Sequence, residues 1–136
     1  MTYPITDISD IGPEAADKLK SVGIRTTARL LDAAKGPKER KRLAEKTGLD
    51  PKRILGWANT ADRMRIKGIG TDYADLLQAA GVDTVKELMY RNPAKLAQAM
   101  AAANAKRKLA RVLPSDRAVE RWIEQARRIP LKITYR

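Results

Sequence analysis

The sequence predicts an all-α fold of about eight short helices, arranged as two tandem repeats related by a pseudo-twofold axis. Three observations carry this prediction. Sliding the 136-residue chain along itself by 58 positions aligns "ISDIGPEAADKLKSVGIRTTARLL" (8–31) with "IKGIGTDYADLLQAAGVDTVKELM" (66–89), and nine of the 24 positions are identical. At a longer offset "DPKRILGWANTADR" (50–63) aligns with "SDRAVERWIEQARR" (115–128), which pairs Trp57 with Trp122 and Ala61 with Ala126. Charge follows the same period. The formal net charge of +12 divides into −1 for residues 1–34, +7 for 35–67, −1 for 68–104 and +7 for 105–136. Each repeat therefore reads as a near-neutral half followed by a basic half.

The helices are marked by their ends. Pro13 and Thr71 open helices that stop at Gly23 and Gly81, residues suited to the left-handed conformation at a helix C-terminus. Thr26 or Thr27, and Thr84, cap the next short helices. Asp50-Pro51 and Asn92-Pro93 are cap-then-proline starts, and Ser115-Asp116 is a third capped start. Between them, apolar residues such as Ala74, Leu77 and Ala80, then Val85, Leu88 and Met89, recur at helical spacing. The only strand-like pieces are the termini, "TYPITDI" and "LKITYR", which are expected to pair as a small β-ribbon. Residues 1–65 form the first repeat and 66–136 the second, and together they are expected to make one compact unit. "MTYPITD" is too short and too broken by proline to supply a helix before the first repeat's turn. Helix 116–128, which has no turn after it, is expected to take that place by packing beside the turn at 10–12.

Composition removes whole classes of chemistry. The chain has no cysteine and no histidine. Disulfides, thiolate nucleophiles, zinc sites built on Cys or His, and Ser-His or Cys-His pairs are thereby excluded. No cofactor or metal site is expected, no catalytic residue is nominated, and the chain is read as a non-enzyme. The N-terminus "MTYPITDISDIG" lacks a basic region followed by an apolar run, and the longest apolar stretch, Ala99 to Ala103, is far too short to span a bilayer. A cytoplasmic protein without a membrane role is expected. The strong basicity points to an acidic partner, of which nucleic acid is the commonest.

The most informative stretch is "RIKGIGTDYADLLQAAGV" (65–82). Between a helix ending near Met64 and one starting at Thr71 the chain must reverse within about five residues. Gly68 and Gly70 are expected to supply the positive backbone angles of that reversal, with Ile69 tucked into the core. The N–H groups of Gly70, Thr71 and Asp72 would then point outward from a helix start, where the dipole also favours an anion. With Lys67 alongside, Gly68, Ile69, Gly70 and Thr71 form a candidate seat for one backbone phosphate.

These residues resemble the helix-hairpin-helix motif: Ile66, then Gly68-Ile69-Gly70, Ala74 in the following helix and Leu77 one turn later. "AAGVDTVKEL" (79–88) is similar to the continuation seen in the N-terminal domains of recombinases and in the C-terminal domain of the bacterial RNA polymerase alpha subunit. More closely, "WANTADRMRIKGIGTDYADLLQAAGVDTVKELMYRNP" together with "RVLPSDRAVERWIEQARR" resembles the bacterial domain-of-unknown-function family numbered 4332 over nearly the whole chain. That resemblance implies tandem helix-hairpin-helix units in a SAM-like short-helix domain, and it brings no established activity.

The first copy departs from the motif. Asp10 stands at the position of Gly68, putting a carboxylate where an anion would sit. Pro13 stands at the position of Thr71 and has no N–H to donate. The first hairpin is therefore expected to be degenerate and structural, leaving the second as the phosphate site. The densest basic runs, "KGPKERKRLAEKTG" (35–48) and "NAKRKLARVLPSDR" (104–117), supply Lys38, Arg40, Lys41, Arg42, Lys106, Arg107, Lys108 and Arg111 as further contacts. The matching runs Lys41-Arg42-Leu43-Ala44 and Arg107-Lys108-Leu109-Ala110 recur in both repeats, which favours a stripe that tracks phosphates. Trp57 and Trp122, flanked by alanine and aliphatic residues, are expected in the core and not as base-stacking platforms. Asp17, Asp72, Asp75, Asp83 and Glu87 are expected to cap or bridge helix surfaces. The function expected is sequence-independent binding to the backbone of double-stranded DNA, with RNA as the other polymer that the charge allows. The alternative is a protein-interaction module that docks an acidic partner and uses both hairpins only as turns.

Overall fold

Proline and capping residues set the helix starts in the computed structural model, which describes residues 2–135. After a single 3-10 turn at Ile5–Asp7 come α1 (Pro13–Ser21), α2 (Thr27–Ala33), α3 (Pro37–Thr47), α4 (Pro51–Arg63), α5 (Thr71–Ala79), α6 (Val85–Leu88), α7 (Pro93–Arg107) and α8 (Asp116–Arg128). The fold is all-α, and no strand forms among the described residues. Five starts are capped as their sequences require. The side chains of Thr26, Asp50, Thr84, Asn92 and Ser115 each accept a first-turn N–H, which satisfies donors that the helix itself leaves open. At Asp83–Glu87 the arrangement is reciprocal: Thr84 accepts from the Glu87 N–H, while Glu87 Oε2 accepts from the Asp83 N–H at 2.9 Å. Gly23 and Gly81 come after α1 and α5 with φ of 85° and 96°.

The two ends of the chain do not pair with each other among the described residues. Pro4 makes an isolated antiparallel bridge to Thr26, and the Thr134 N–H donates to the Lys35 carbonyl at 2.7 Å. The expected terminal ribbon is thus replaced by two separate attachments to the segments flanking α2. A lone two-stranded ribbon is marginal in water, whereas open backbone groups beside a helix offer partners already fixed in place.

Packing also corrects the expected position of helix 116–128. It is α8, and it lies against α6 and α7, while α4 lies against α2 and α3. The reason is in its apolar face: Val119, Trp122, Ile123 and Ala126 are all buried. Polar contacts hold it there as well, since Gln125 Oε1 accepts from the Lys67 N–H at 2.6 Å and Arg127 Nε donates to the Met89 carbonyl at 3.2 Å. The region before residue 10 is occupied instead by the 3-10 turn, whose Ile5 is buried.

The N-terminal and C-terminal halves share one core. Ile8, Ile11, Ile66 and Ile69 are all buried in it, with Trp57 and Trp122 in the same cluster. Between the halves, Ser9 Oγ donates to Asp75 Oδ2 at 2.6 Å, Thr71 Oγ1 donates to the Asp7 carbonyl at 2.8 Å and the Tyr135 hydroxyl donates to Asn59 Oδ1 at 3.0 Å.

The end of α4 positions the two helices that come after it. Arg63 is fully buried, with 0 % of its surface exposed. Its guanidinium donates to the Ala74 carbonyl at 2.9 Å, the Asp83 carbonyl at 2.7 Å and Thr60 Oγ1 at 3.1 Å. Burial lowers its pKa from the usual arginine value, and the carboxylates of Asp83, Asp75 and Asp62 oppose that shift. Beside it, buried Asp62 accepts the Val85 N–H at 2.8 Å and pairs with Arg65 at 2.8 Å. One helix end thereby holds α5 and caps α6. Nothing in the sequence patterning singles out Arg63, because an arginine at a helix C-terminus usually reads as a solvated residue favoured by the dipole. Replacing Arg63 by Ala removes the donors that tie Thr60, the Ala74 carbonyl and the Asp83 carbonyl together and leaves a cavity, and should cost about 3 kcal/mol in denaturant unfolding. A loss below about 1 kcal/mol would show that the junction is held by packing alone.

Candidate functional site

The turn after α4 runs from Met64 to Gly70. Gly68 has φ of +95°, in the left-handed region where a side chain is strained, whereas Gly70 is extended with φ −95° and ψ −161°. Only one of the two glycines therefore supplies a positive angle. Gly70 instead lies at the N-cap of α5 with no side chain over the helix start, so nothing caps that end. Ile69 is buried as expected. The first-turn N–H groups of α5 have no intrahelical acceptor, and those of Gly70, Thr71 and Asp72 donate to no acceptor among the described residues.

The residues that carry these amides line a cleft of about 440 Å³, with Gly68, Gly70, Thr71, Asp72 and Tyr73 on one side and Ala110, Arg111 and Val112 on the other. The second wall is held by two anchors. Asn104 clasps Ala110 through both its amide atoms, donating to the Ala110 carbonyl at 3.0 Å and accepting the Ala110 N–H at 2.9 Å. The Tyr73 hydroxyl then donates to the Val112 carbonyl at 2.9 Å. Arg111, between two pinned neighbours, is exposed at the cleft. Lys108 makes the bend that brings the chain round, with φ of 49°, the only positive φ of a non-glycine among the described residues. Chemically the cleft offers open amide donors at a helix start and one guanidinium, and Asp72 is the carboxylate on its rim.

The remaining basic candidates divide into three groups. Lys67 is exposed next to Gly68, and Lys106, Arg107 and Lys108 are exposed at the end of α7, immediately before the cleft wall. Of these, Arg107 also lines a neighbouring cleft with Asp10, Trp57 and Asp75. Lys38, Lys41 and Arg42 are exposed on α3, which packs on α2 and α4, and Arg42 lines a separate cleft with Val22 and Ile24. Arg40 is different. It is buried, donates to the Ala34 carbonyl at 3.0 Å and the Thr134 carbonyl at 2.9 Å, and lies 5.9 Å from the centre of the Tyr135 ring. Its charge is used to hold the C-terminal segment, so it does not belong with the exposed set. The two Lys/Arg-Leu-Ala runs also fall in different places, since Lys41-Arg42 lies within α3 while Arg107-Lys108 is the end of α7. α7 is 15 residues long and α3 is 11, so matching letters do not mean matching positions.

At the first copy the Asp10 carboxylate, although exposed, is engaged by its neighbours. Its Oδ2 accepts the Trp57 indole N–H at 2.8 Å and lies 3.9 Å from Arg53 Nε, whose guanidinium stands 5.0 Å from the centre of the Trp57 ring. Both tryptophans are buried, as their flanking residues predict. Among the described residues, no group of acidic side chains is placed to hold a metal ion, and no helix is long and apolar enough to cross a membrane. Removing the Asp10 carboxylate with Asp10→Ala should destabilise the fold by about 1 kcal/mol, because Trp57 loses its acceptor. An unchanged unfolding midpoint would mean that solvent serves Trp57 equally well.

A comparison with the curated proteins finds no match, and neither does a comparison with the solved structures. The family models do give one, the domain of unknown function (DUF4332), matched over residues 9–129. That span takes in α1 to α8, both tryptophans and both walls of the cleft, and the chain belongs to this family.

Proposed function

We propose that the protein is a non-enzymatic nucleic-acid-binding protein that grips the backbone of double-stranded DNA, without reading sequence, through a helix-hairpin-helix unit formed by α4, the Gly68–Gly70 turn and α5. The observation that carries this reading is that the open amides of Gly70, Thr71 and Asp72 share one cleft with Arg111. A phosphate seated there would receive several charge-assisted hydrogen bonds at once. Lys67 in the turn, Lys106 and Lys108 before the second wall, and Lys38, Lys41 and Arg42 on α3 are exposed and would add attraction for a polyanion. Arg107, at the neighbouring cleft beside Asp75, serves the same basic rim.

Such binding depends on counterion release. With about four cations on phosphates, the logarithm of affinity falls against the logarithm of salt concentration with a slope near −4. A retardation assay across salt concentrations reads this directly, and tight binding indifferent to salt would refute it. Capture of a protein partner from nuclease-treated extract, without any duplex binding at low salt, would instead favour the acidic-partner reading.

A paired substitution locates the site. Gly12 and Gly70 both have negative φ and open space where a Cβ would go, so an aspartate at either is compatible with folding. Gly70→Asp brings a carboxylate to the open amides and should weaken duplex binding by about tenfold or more, against less than about twofold for Gly12→Asp. Equal effects would place the phosphate elsewhere.

A further inference from the structure

We infer that the indole N–H of Trp122 is a ligand of this seat, donating to a phosphate oxygen that occupies the place which Asp10 fills with its own carboxylate at the first copy. The inference rests on the phosphate reading above and adds a specific donor to it.

Trp57 and Trp122 are counterparts in the sequence, as are Asp10 and Gly68. In the N-terminal half the tryptophan N–H is satisfied internally by Asp10 at 2.8 Å. In the C-terminal half the corresponding residue is Gly68, which has no side chain to offer. The Trp122 nitrogen lies 3.0 Å from where a Cβ on Gly68 would be, so the indole edge meets the turn at the very residue that lines the cleft. Trp122 is only 4 % exposed, yet its N–H has no acceptor among the described residues. Its nitrogen is not sealed in either, because every fully enclosed side-chain nitrogen or oxygen among the described residues has a partner. The ring is held in that orientation by Tyr73, whose centroid is 5.3 Å away and which itself lines the cleft. A donor at an exposed rim with no protein acceptor is met only by solvent or by a ligand.

The surroundings select the ligand class. Arg111 and the first residues of α5 bring donors to the cleft that Gly68 lines, whereas Asp72 is the one carboxylate that lines it. An oxyanion with several acceptor oxygens, such as a phosphodiester, can use donors from three directions, from the indole, the amides and the guanidinium. Asp72 opposes it, so Asp72→Asn should strengthen binding of a short DNA duplex about threefold at low salt.

The chain has two tryptophans, so the ¹H–¹⁵N spectrum contains two indole signals. Titration of the intact protein with inorganic phosphate, and separately with a short DNA duplex at constant ionic strength, should move the Trp122 signal and leave that of Trp57 in place. Trp122→Phe, which keeps a ring but deletes the donor, should weaken duplex binding about tenfold, whereas Trp57→Phe should change it less than about twofold. Should Trp122→Phe fail to fold, the titration of the unaltered protein still decides. Duplex binding with an unmoved Trp122 signal overturns this inference and leaves the proposed function standing. Where the duplex does not bind, the proposed function fails, and the phosphate titration alone judges the indole: movement at Trp122 supports the assignment, and no movement overturns it. A Trp122 signal that responds to poly-glutamate but to neither phosphate nor duplex overturns the phosphate assignment in favour of an acidic protein.

Discussion

The buried guanidinium of Arg63 is the constraint on which the rest of the site depends. It links α4 through Thr60 to the Ala74 carbonyl in α5 and to the Asp83 carbonyl before α6. A charge without exposed surface is tolerable only when it is well hydrogen-bonded, and acceptors on three segments engage each of its three nitrogens. Together with Asp62, which accepts the first amide of α6, Arg63 sets how α5 leaves the turn. The start of α5, uncapped because Gly70 has no side chain, then lies across the cleft from the 110–112 segment.

The site is consequently a product of two independent fixings. Arg63 and Ile69 hold the turn from below, while Asn104 and Tyr73 hold the opposite wall. Neither wall depends on a ligand for its position. A preorganised cleft of this kind loses little conformational freedom when an anion enters, which is how a few hydrogen bonds can give useful affinity at an exposed surface. On the proposed reading, attraction at longer range would come from the exposed basic residues near the turn and on α3, an effect that is diffuse and screened by salt.

Much of the fold was legible because it is encoded locally. Thr26, Asp50, Thr84, Asn92 and Ser115 each cap the helix that their position predicts, and Gly23 and Gly81 stand after the helices that they were expected to end. Choices between partners distant in sequence could not be seen. The apolar stripe of α8 was plain, but whether it would lie on residues 10–12 or on α6 and α7 is decided by which surfaces remain uncovered, and no pattern within α8 says so. Arg40 and Arg63 look in the sequence like any exposed arginines, and only the carbonyls of remote segments make them structural. The cleft was half legible: the glycine turn announces itself, whereas Arg111 reaches it through a left-handed Lys108 that no local signal marks. The contrast between Trp57 bonded to Asp10 and Trp122 facing Gly68 emerges only when the internal alignment is laid over the three-dimensional packing.

The central claim is that one backbone phosphate sits on the Gly68–Gly70 turn. A crystal structure of the protein with a short DNA duplex tests it most directly. The expected result is a phosphate oxygen about 3 Å from the backbone nitrogens of Gly70 and Thr71, with the Arg111 guanidinium on the same phosphate. A duplex lying along α3, with its phosphates on Lys38, Lys41 and Arg42 and the turn open to solvent, would contradict it.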